Sequence, residues 1–440
     1  MAYELVDAVQ LNNDLLDIAD AIRAKSQGQD PLLFPSEFIS EIGSIPTGAS
    51  ITGTTDVTAK ALETIAQNDS VYLSGSWIDT RLLPEPPIAG NGNGCAWNPD
   101  DTRLAICCYA SPYLYIYNTT TTPYTKLSNP GALPAGYGVS CAWNPDGTRL
   151  AVTCTNSPRI MVYNTTTTPY TKLSNPGTLP TGAPGARKSC AWSPDGTKLA
   201  VAHSTSPFIT IYDTTTTPYT KIANPSTLPA GNGNSCAWSP DGTRLAVSHS
   251  TSPFITIYDT TTTPYTKLAD PSTLPKGTGA CAWSPDGTRL VTTHATSPFI
   301  TIYDTTTTPY TKIANPSTLP SGQIYSCSWN SSGSRLVVTG TTTPKAIVYD
   351  TTTTPYTKIA DLKEARSSGN DIDWSNDNEK IVIAAIDNNG YGAAIYNASN
   401  QIVASKASNT IEQYDGGDYG YSKQSIAKGN TGTFGKIFSR

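Results

Sequence analysis

The chain has 440 residues, only 14% of them charged, and a formal net charge of −5. So acidic and lightly charged a composition offers nothing to neutralise a run of phosphates, which excludes nucleic acid as the expected partner. No apolar run is long enough to span a bilayer, and the start, MAYELVDAVQLNNDLLDIAD, lacks the basic region of a secretory signal. The expectation is synthesis in the cytoplasm, with retention there or release by lysis or another non-Sec route.

Residues 5–25 predict a helix. Leu11, Leu15, Ile18 and Ile22 are spaced as the seam of a short coiled coil. Two heptads alone are marginal in water, so this helix needs sister chains, as a dimer or trimer, or a docking surface. Residues 26–30 form a polar break, and Pro35 opens a second short helix, with Phe38, Ile39 and Ile42 on one face and Gly43 placed to cap its end. Residues 1–48 therefore read as a helical attachment or oligomerisation segment. After a linker at 46–53, residues 57–75 alternate as strand, turn and strand.

From there the chain repeats. Trp97, Trp143, Trp192, Trp238, Trp283, Trp329 and Trp374 recur at intervals of 46, 49, 46, 45, 46 and 45 residues. Each unit carries about four strand-like runs, the pattern of a β-propeller blade. In the unit beginning at Cys236, a short apolar run meets the tight Asp241-Gly242 turn. Then follow the strand RLAVS, a break at Thr251-Ser252-Pro253, the strand FITIYD, and a weaker fourth strand from Tyr265. Proline stands only at the boundaries of the first three strands, where it removes no ladder donor. Near-continuous apolar and β-branched runs fit sheets covered on both faces. The fold class is mainly β: a seven-bladed propeller at residues 77–409, a short α-helical N-terminal segment, and a small β-domain built from the flanking ends, 49–76 and 410–440. The outer strand of the last blade comes from Asp79-Thr80-Arg81-Leu82 or from residues 401–407; the sequence leaves both open.

The repeats resemble the WD-repeat and related propeller families. Tyr212-Asp213, Tyr258-Asp259, Tyr303-Asp304 and Tyr349-Asp350 stand where a WD repeat ends its third strand with Trp-Asp, and Tyr117-Asn118, Tyr163-Asn164 and Tyr396-Asn397 are variants. The Gly-His pair of that family is absent, which puts its supporting hydrogen-bond network in question. Residues 11–45 resemble the N-terminal segment of tail and tail-fibre proteins of phages and prophages of Gram-positive bacteria. The residues concerned are Ile18-Ala19-Asp20-Ala21-Ile22-Arg23 and the run from Pro35 to Ile45. Residues 57–75 and 420–440 likewise resemble the halves of a small β-domain of phage structural proteins. The resemblance implies a virion tail protein, attached to other tail proteins through its N-terminal helices, with the propeller displayed outward.

Candidate chemistry is sparse. Six of the nine cysteines (Cys95, Cys141, Cys190, Cys236, Cys281 and Cys327) occupy one repeat position, two before the tryptophan, and read as small buried hydrophobes. His203, His249 and His294 are one position in three consecutive units, side by side and not around a point. The Pro-Asp-Gly aspartates belong to hairpin turns. No catalytic residue, metal or cofactor is expected, and the chain is not expected to be an enzyme. Binding is favoured, because two of the four connections vary from unit to unit and emerge on one face. That face would carry Tyr109, Tyr113, Tyr137, Arg159, Arg187, Lys188, Lys276, Tyr325 and Lys345, suited to a bacterial surface glycan or protein. The leading reading is a non-enzymatic tail adhesin or receptor-binding head. The alternatives are a structural virion decoration or spacer without a ligand, and an intracellular WD-type scaffold for protein interactions.

Overall fold

The computed structural model describes residues 88, 90–362, 369–385 and 392–397, together with the strands at 56–60, 70–71, 402–404, 411–413, 420–421 and 431–436. The chain divides into two compact units, Met1–Trp77 with Ala398–Arg440, and Ile78–Asn397. The N-terminal helices, with Leu11, Leu15, Ile18, Ile22, Phe38, Ile39 and Ile42, lie outside the described residues.

Blade 4 shows how the sequence makes its unit. Gly233–Trp238, Arg244–His249, Ile255–Asp259 and Thr266–Lys267 form one antiparallel sheet in chain order. Gly242 turns the first hairpin at φ +70°, a backbone region costly for a residue with a Cβ. Asp241 Oδ1 accepts the Thr243 N–H at 3.0 Å, and Asp259 Oδ1 accepts the Thr261 N–H at 2.8 Å. The aspartates of the Asp-Gly and Tyr-Asp pairs are thus turn formers. Leu245, Ala246 and Val247 in the second strand are wholly buried, because both faces of the sheet are covered. Each such leucine contributes roughly 2 kcal/mol of apolar burial.

Seven blades repeat this plan. Their first strands are Gly92–Trp97, Gly138–Trp143, Cys190–Trp192, Gly233–Trp238, Cys281–Trp283, Ile324–Trp329 and Gly369–Trp374. Each touches the next around a closed cycle, and Gly369–Trp374 returns to Gly92–Trp97. Blades 1–6 have four strands; blade 7 shows three among the described residues: Gly369–Trp374, Lys380–Ala385 and Ala393–Asn397. Of the two segments left open for its outer strand, 401–407 contains Ile402–Ala404, which pairs with Ile411–Gln413. Residues 79–82 lie outside the described residues. In the other unit Asp56–Lys60 pairs with Thr431–Lys436, and Ser70–Val71 with Gly420–Tyr421.

The tyrosine of the Tyr-Asp pair has a definite task. Tyr258 is fully buried, and its hydroxyl donates at 2.8 Å to the Thr227 carbonyl in the connection entering its blade. Tyr163, Tyr212, Tyr303 and Tyr349 repeat the bond, to Ala132, Thr178, Thr273 and Thr318. A tyrosine hydroxyl thus ties down the loop entering each of these blades, in a chain that lacks the Gly-His pair. Blades are also joined radially. Arg149 donates to the Tyr219 hydroxyl of the next blade at 2.7 Å, and Arg244 does the same to Tyr310.

Candidate binding site at the channel mouth

Seven similar first strands surround an axis, and most present small residues there. Two departures from the repeat meet across it. The first is in blade 3, where the Trp143 to Trp192 spacing is 49 residues, three longer than the neighbouring spacing of 46. The longer connection ends in Arg187-Lys188, and Lys188 takes a φ of +31°. The second is in blade 7, whose first strand reads Asn370-Asp371-Ile372-Asp373-Trp374. Other blades have Gly, Ser or Ala at the Asp371 position and Ala or Ser at the Asp373 position.

Lys188 Nζ lies 3.8 Å from both Asp371 Oδ1 and Asp373 Oδ1. The carboxylates are held by the blades on either side. Asp371 accepts the Cys95 N–H at 3.2 Å and the Ser326 hydroxyl at 2.7 Å; Asp373 accepts the Trp97 N–H and the Ser328 hydroxyl, both at 3.1 Å. Burial disfavours the Lys188 ammonium, but the two carboxylates outweigh it and hold the lysine protonated well above its ordinary range. Burial pushes the Asp373 carboxyl up, against the pull of Lys188. Two carboxylates and one ammonium leave this cluster with a formal charge of −1.

Around the mouth, Arg187 stacks on the Tyr325 ring of blade 6, its guanidinium carbon 3.9 Å from the centroid. Burial pulls Arg187 below its ordinary value, while Tyr325, Asp371 and Tyr109 act in the opposite sense. Tyr109, Tyr113 and Tyr137, from blades 1 and 2, form a second group. The Tyr137 centroid is 5.0 Å from Tyr109 and 6.1 Å from Tyr113. Tyr109 and Tyr137 are 44% and 46% exposed, unusual for rings of this size in contact with one another.

Of the nine residues expected on this face, the structure thus gathers Tyr109, Tyr113 and Tyr137 in one cluster and Arg187 with Tyr325 in another. Lys188 reaches into the channel. Arg159, Lys276 and Lys345 stand apart. Arg159 occupies the same positive-φ turn position as Tyr113, Lys276 is exposed, and the Lys345 ammonium folds back on the Thr341 carbonyl at 2.7 Å. The sequence reading did not single out Asp371 and Asp373. Their signal was the replacement of two small residues by acids within a strand that otherwise keeps its pattern.

The histidines and cysteines are packed inside the blades. His203, His249 and His294 are buried, and each Nε2 lies 2.9–3.0 Å from the hydroxyl of Thr210, Thr256 or Thr301 in its own blade. Burial lowers all three, His203 to about 4. The nine cysteines are buried free thiols. No group of three or more potential metal ligands occurs among the described residues.

Comparisons with known proteins agree on architecture. Residues 176–311 match the family model described as eukaryotic translation initiation factor eIF2A. The matched stretch spans the regular blades 3–5 and is less than a third of the chain. No curated protein matches. Among solved structures, the chain is similar to hydrazine synthase of Kuenenia stuttgartiensis (TM-score 0.53, 16% identity, 71% of this chain and 97% of that one). It is also similar to a chain of the mitotic checkpoint complex (TM-score 0.54, 16% identity, 84% of this chain and 98% of that one). Likeness at this identity is a likeness of fold. The chain carries a seven-bladed β-propeller of WD-like type.

Proposed function

We propose that this chain is a non-enzymatic recognition protein, a WD-type scaffold that docks a protein partner on the face formed by its variable connections. The observation that carries the reading is the asymmetry of that face. On blades that are otherwise near copies, exposed tyrosines from blades 1 and 2 and an arginine stacked on Tyr325 surround one channel mouth. Aromatic rings and arginine are the residues from which the energetic centre of a protein interface is usually built. The partial match to a translation-factor family model supports a scaffold role, and a propeller with few convergent titratable groups on its surface supports the absence of catalysis.

A second reading rests on the N-terminal sequence. Residues 18–23 and 35–45 resemble phage tail segments, which supports a virion tail protein whose propeller is an adhesin or a spacer, with the flanking ends as a separate small β-domain. Both readings use the same face. A photo-crosslinker placed at Tyr137 of the full chain, followed by affinity measurement with whatever protein it captures, tests the first. Binding should weaken at least about tenfold in Tyr137→Ala combined with Arg187→Ala, and not in the rim variant Lys267→Ala. Saturable, strain-selective attachment of the labelled full chain to Gram-positive cells or their wall polysaccharides, with no captured protein, would replace it with the second.

A further inference from the structure

A ring of repeated strands should give its tryptophans one repeated setting, and over half the ring it does. The indole Nε1 groups of Trp143, Trp192, Trp238 and Trp283 donate to the carbonyls of Ala96, Ala142, Ala191 and Ala237 in the preceding blade, at 3.0–3.2 Å. In blades 6, 7 and 1 the bond is missing. The indole N–H groups of Trp329, Trp374 and Trp97 have no partner among the described residues, although the three side chains are 9%, 5% and 6% exposed. A buried donor left unmade is costly, and three in consecutive blades mark one place.

These three tryptophans, with Trp283, also border a cavity of about 410 Å³ in the axial channel, which opens among the turns that join first and second strands; their Nε1 atoms lie enclosed behind its wall. It lies at the opposite end of the first strands from the variable connections. Lys188 and Asp373 form its inner end. The Lys188 ammonium makes ion pairs at 3.8 Å but has no acceptor at hydrogen-bond distance among the described residues. Asp373 accepts two hydrogen bonds of the four or so its oxygens can take, and its side chain is 24% exposed. The Lys188 donor is therefore in surplus, enclosed indole N–H groups stand behind the wall, one acceptor has room, and four tryptophans stand among otherwise small and polar lining residues.

We propose that this cavity binds a neutral, polyhydroxylated ligand about the size of a single pyranose. Hydroxyl oxygens accept from Lys188 and the indole N–H groups as the walls adjust to the guest, one hydroxyl donates to Asp373, and the C–H face of a sugar ring lies against the tryptophans. The volume falls in the lower part of the range for small-molecule sites. An inorganic anion would meet a cluster of net charge −1. A metal ion or amine would answer the charge but face unpaired N–H donors, and neither uses the aromatic wall. The proposal is independent of the docking face at the other end of the channel.

Saturation-transfer NMR and tryptophan fluorescence on the full chain test it, with D-glucose, D-galactose, N-acetyl-D-glucosamine and glycerol as probes, and inorganic phosphate and tetramethylammonium as charged controls. At least one pyranose should give a saturable response that weakens tenfold or more in Asp373→Ala and in Ala282→Leu. The second variant fills the cavity from its wall without removing any charge or hydrogen bond, so it answers even if the first fails to fold. Tyr137→Ala should leave the response unchanged. No response to any pyranose up to about 50 mM, a response to the charged controls alone, or binding undiminished in Ala282→Leu would each overturn the proposal.

Discussion

Blades 2–5 and the arc formed by blades 6, 7 and 1 are made from the same repeat but held together differently. In the regular arc, every tryptophan indole reaches the previous blade and, Lys188 of blade 3 apart, the channel side of the first strands is small and neutral. In the other arc the indoles make no such bond among the described residues. Two aspartates stand where small residues belong, and side-chain hydrogen bonds take over the joining: Ser326 and Ser328 to Asp371 and Asp373, and those in turn to blade 1. Repetition specifies the common frame cheaply, since each blade tells its neighbour where to sit. Departures from repetition concentrate where the ring closes and where the channel carries charge, and those are the places to look for function.

The largest effect should come from unbalancing the channel. Asp371→Ala removes the acceptor of two inter-blade hydrogen bonds and leaves Lys188 with one carboxylate, for an expected loss of about 3 kcal/mol in urea unfolding. The combination Lys188→Asn, Asp371→Ser and Asp373→Ala gives these positions the residues of blade 4 and should cost no more than about 1 kcal/mol. If the combination proves worse than Asp371→Ala alone, the charge cluster is not the source of the difference between the arcs.

Acid should act first on the regular arc, because its blades 3–5 carry the buried histidines. A base whose folded-state pKa is depressed favours the fold while neutral. The His203 contribution is therefore complete above about 6.5 and is lost as the pH falls from there through its folded value of about 4. His203 alone should account for about 2 kcal/mol between pH 7 and pH 5, and His249 and His294 add in the same direction. Asp373, an acid with a raised value, runs the other way: it favours the fold more as pH falls. Replacing the three histidines by cysteine, which blades 1 and 2 hold at this position as Cys108 and Cys154, should flatten the pH profile. An unchanged acid limb would place the sensitivity elsewhere.

Ring closure at the turns gives a smaller contrast. Asp101 sits at φ +57° where Gly242 and its equivalents stand in blades 2–6, and its carboxylate accepts the Asn376 and Asp377 N–H groups at 2.8 Å. Asp101→Ala loses those bonds and keeps the backbone strain, whereas Asp101→Gly loses the bonds but relieves the strain. Thermal unfolding should find the alanine variant less stable than the glycine variant by about 1 kcal/mol. Equal stabilities would mean that the positive φ at this position carries no net cost, and the loss common to both variants would then measure the hydrogen bonds to blade 7.

The same contrast explains what could be read in advance. Strand positions, the turn glycines, the buried cysteines and the blade number were legible because a repeat states each of them several times. Tyr109, Tyr113 and Tyr137 were legible as residues of variable loops, but their mutual contact was not, since it depends on how blades 1 and 2 abut. Asp371 and Asp373 were passed over because they stand in the repeated first strand and not in a loop. Their partner Lys188 lies 183 and 185 residues earlier in the chain. Only closure of the ring brings an extended loop of blade 3 against the last blade. Asp373 was the harder to see, since nothing local in Ile372-Asp373-Trp374 distinguishes a channel carboxylate from one at a solvent-facing turn.

The finest test compares two tryptophans that the sequence treats as equivalent. Trp283→Phe deletes a 3.2 Å bond to the Ala237 carbonyl and leaves that part-buried acceptor short of a donor, whereas Trp374→Phe deletes an indole N–H that has no partner among the described residues. Both substitutions remove similar ring area from settings of similar burial. The lost packing should therefore largely cancel, and Trp283→Phe should be the more destabilising by about 1 kcal/mol. A larger loss for Trp374→Phe would mean that its N–H is bonded in solution, through water or a guest in the adjoining cavity. Repeating both measurements in a pyranose that the cavity accepts would then separate the two, since only a guest makes the Trp374→Phe cost depend on ligand concentration.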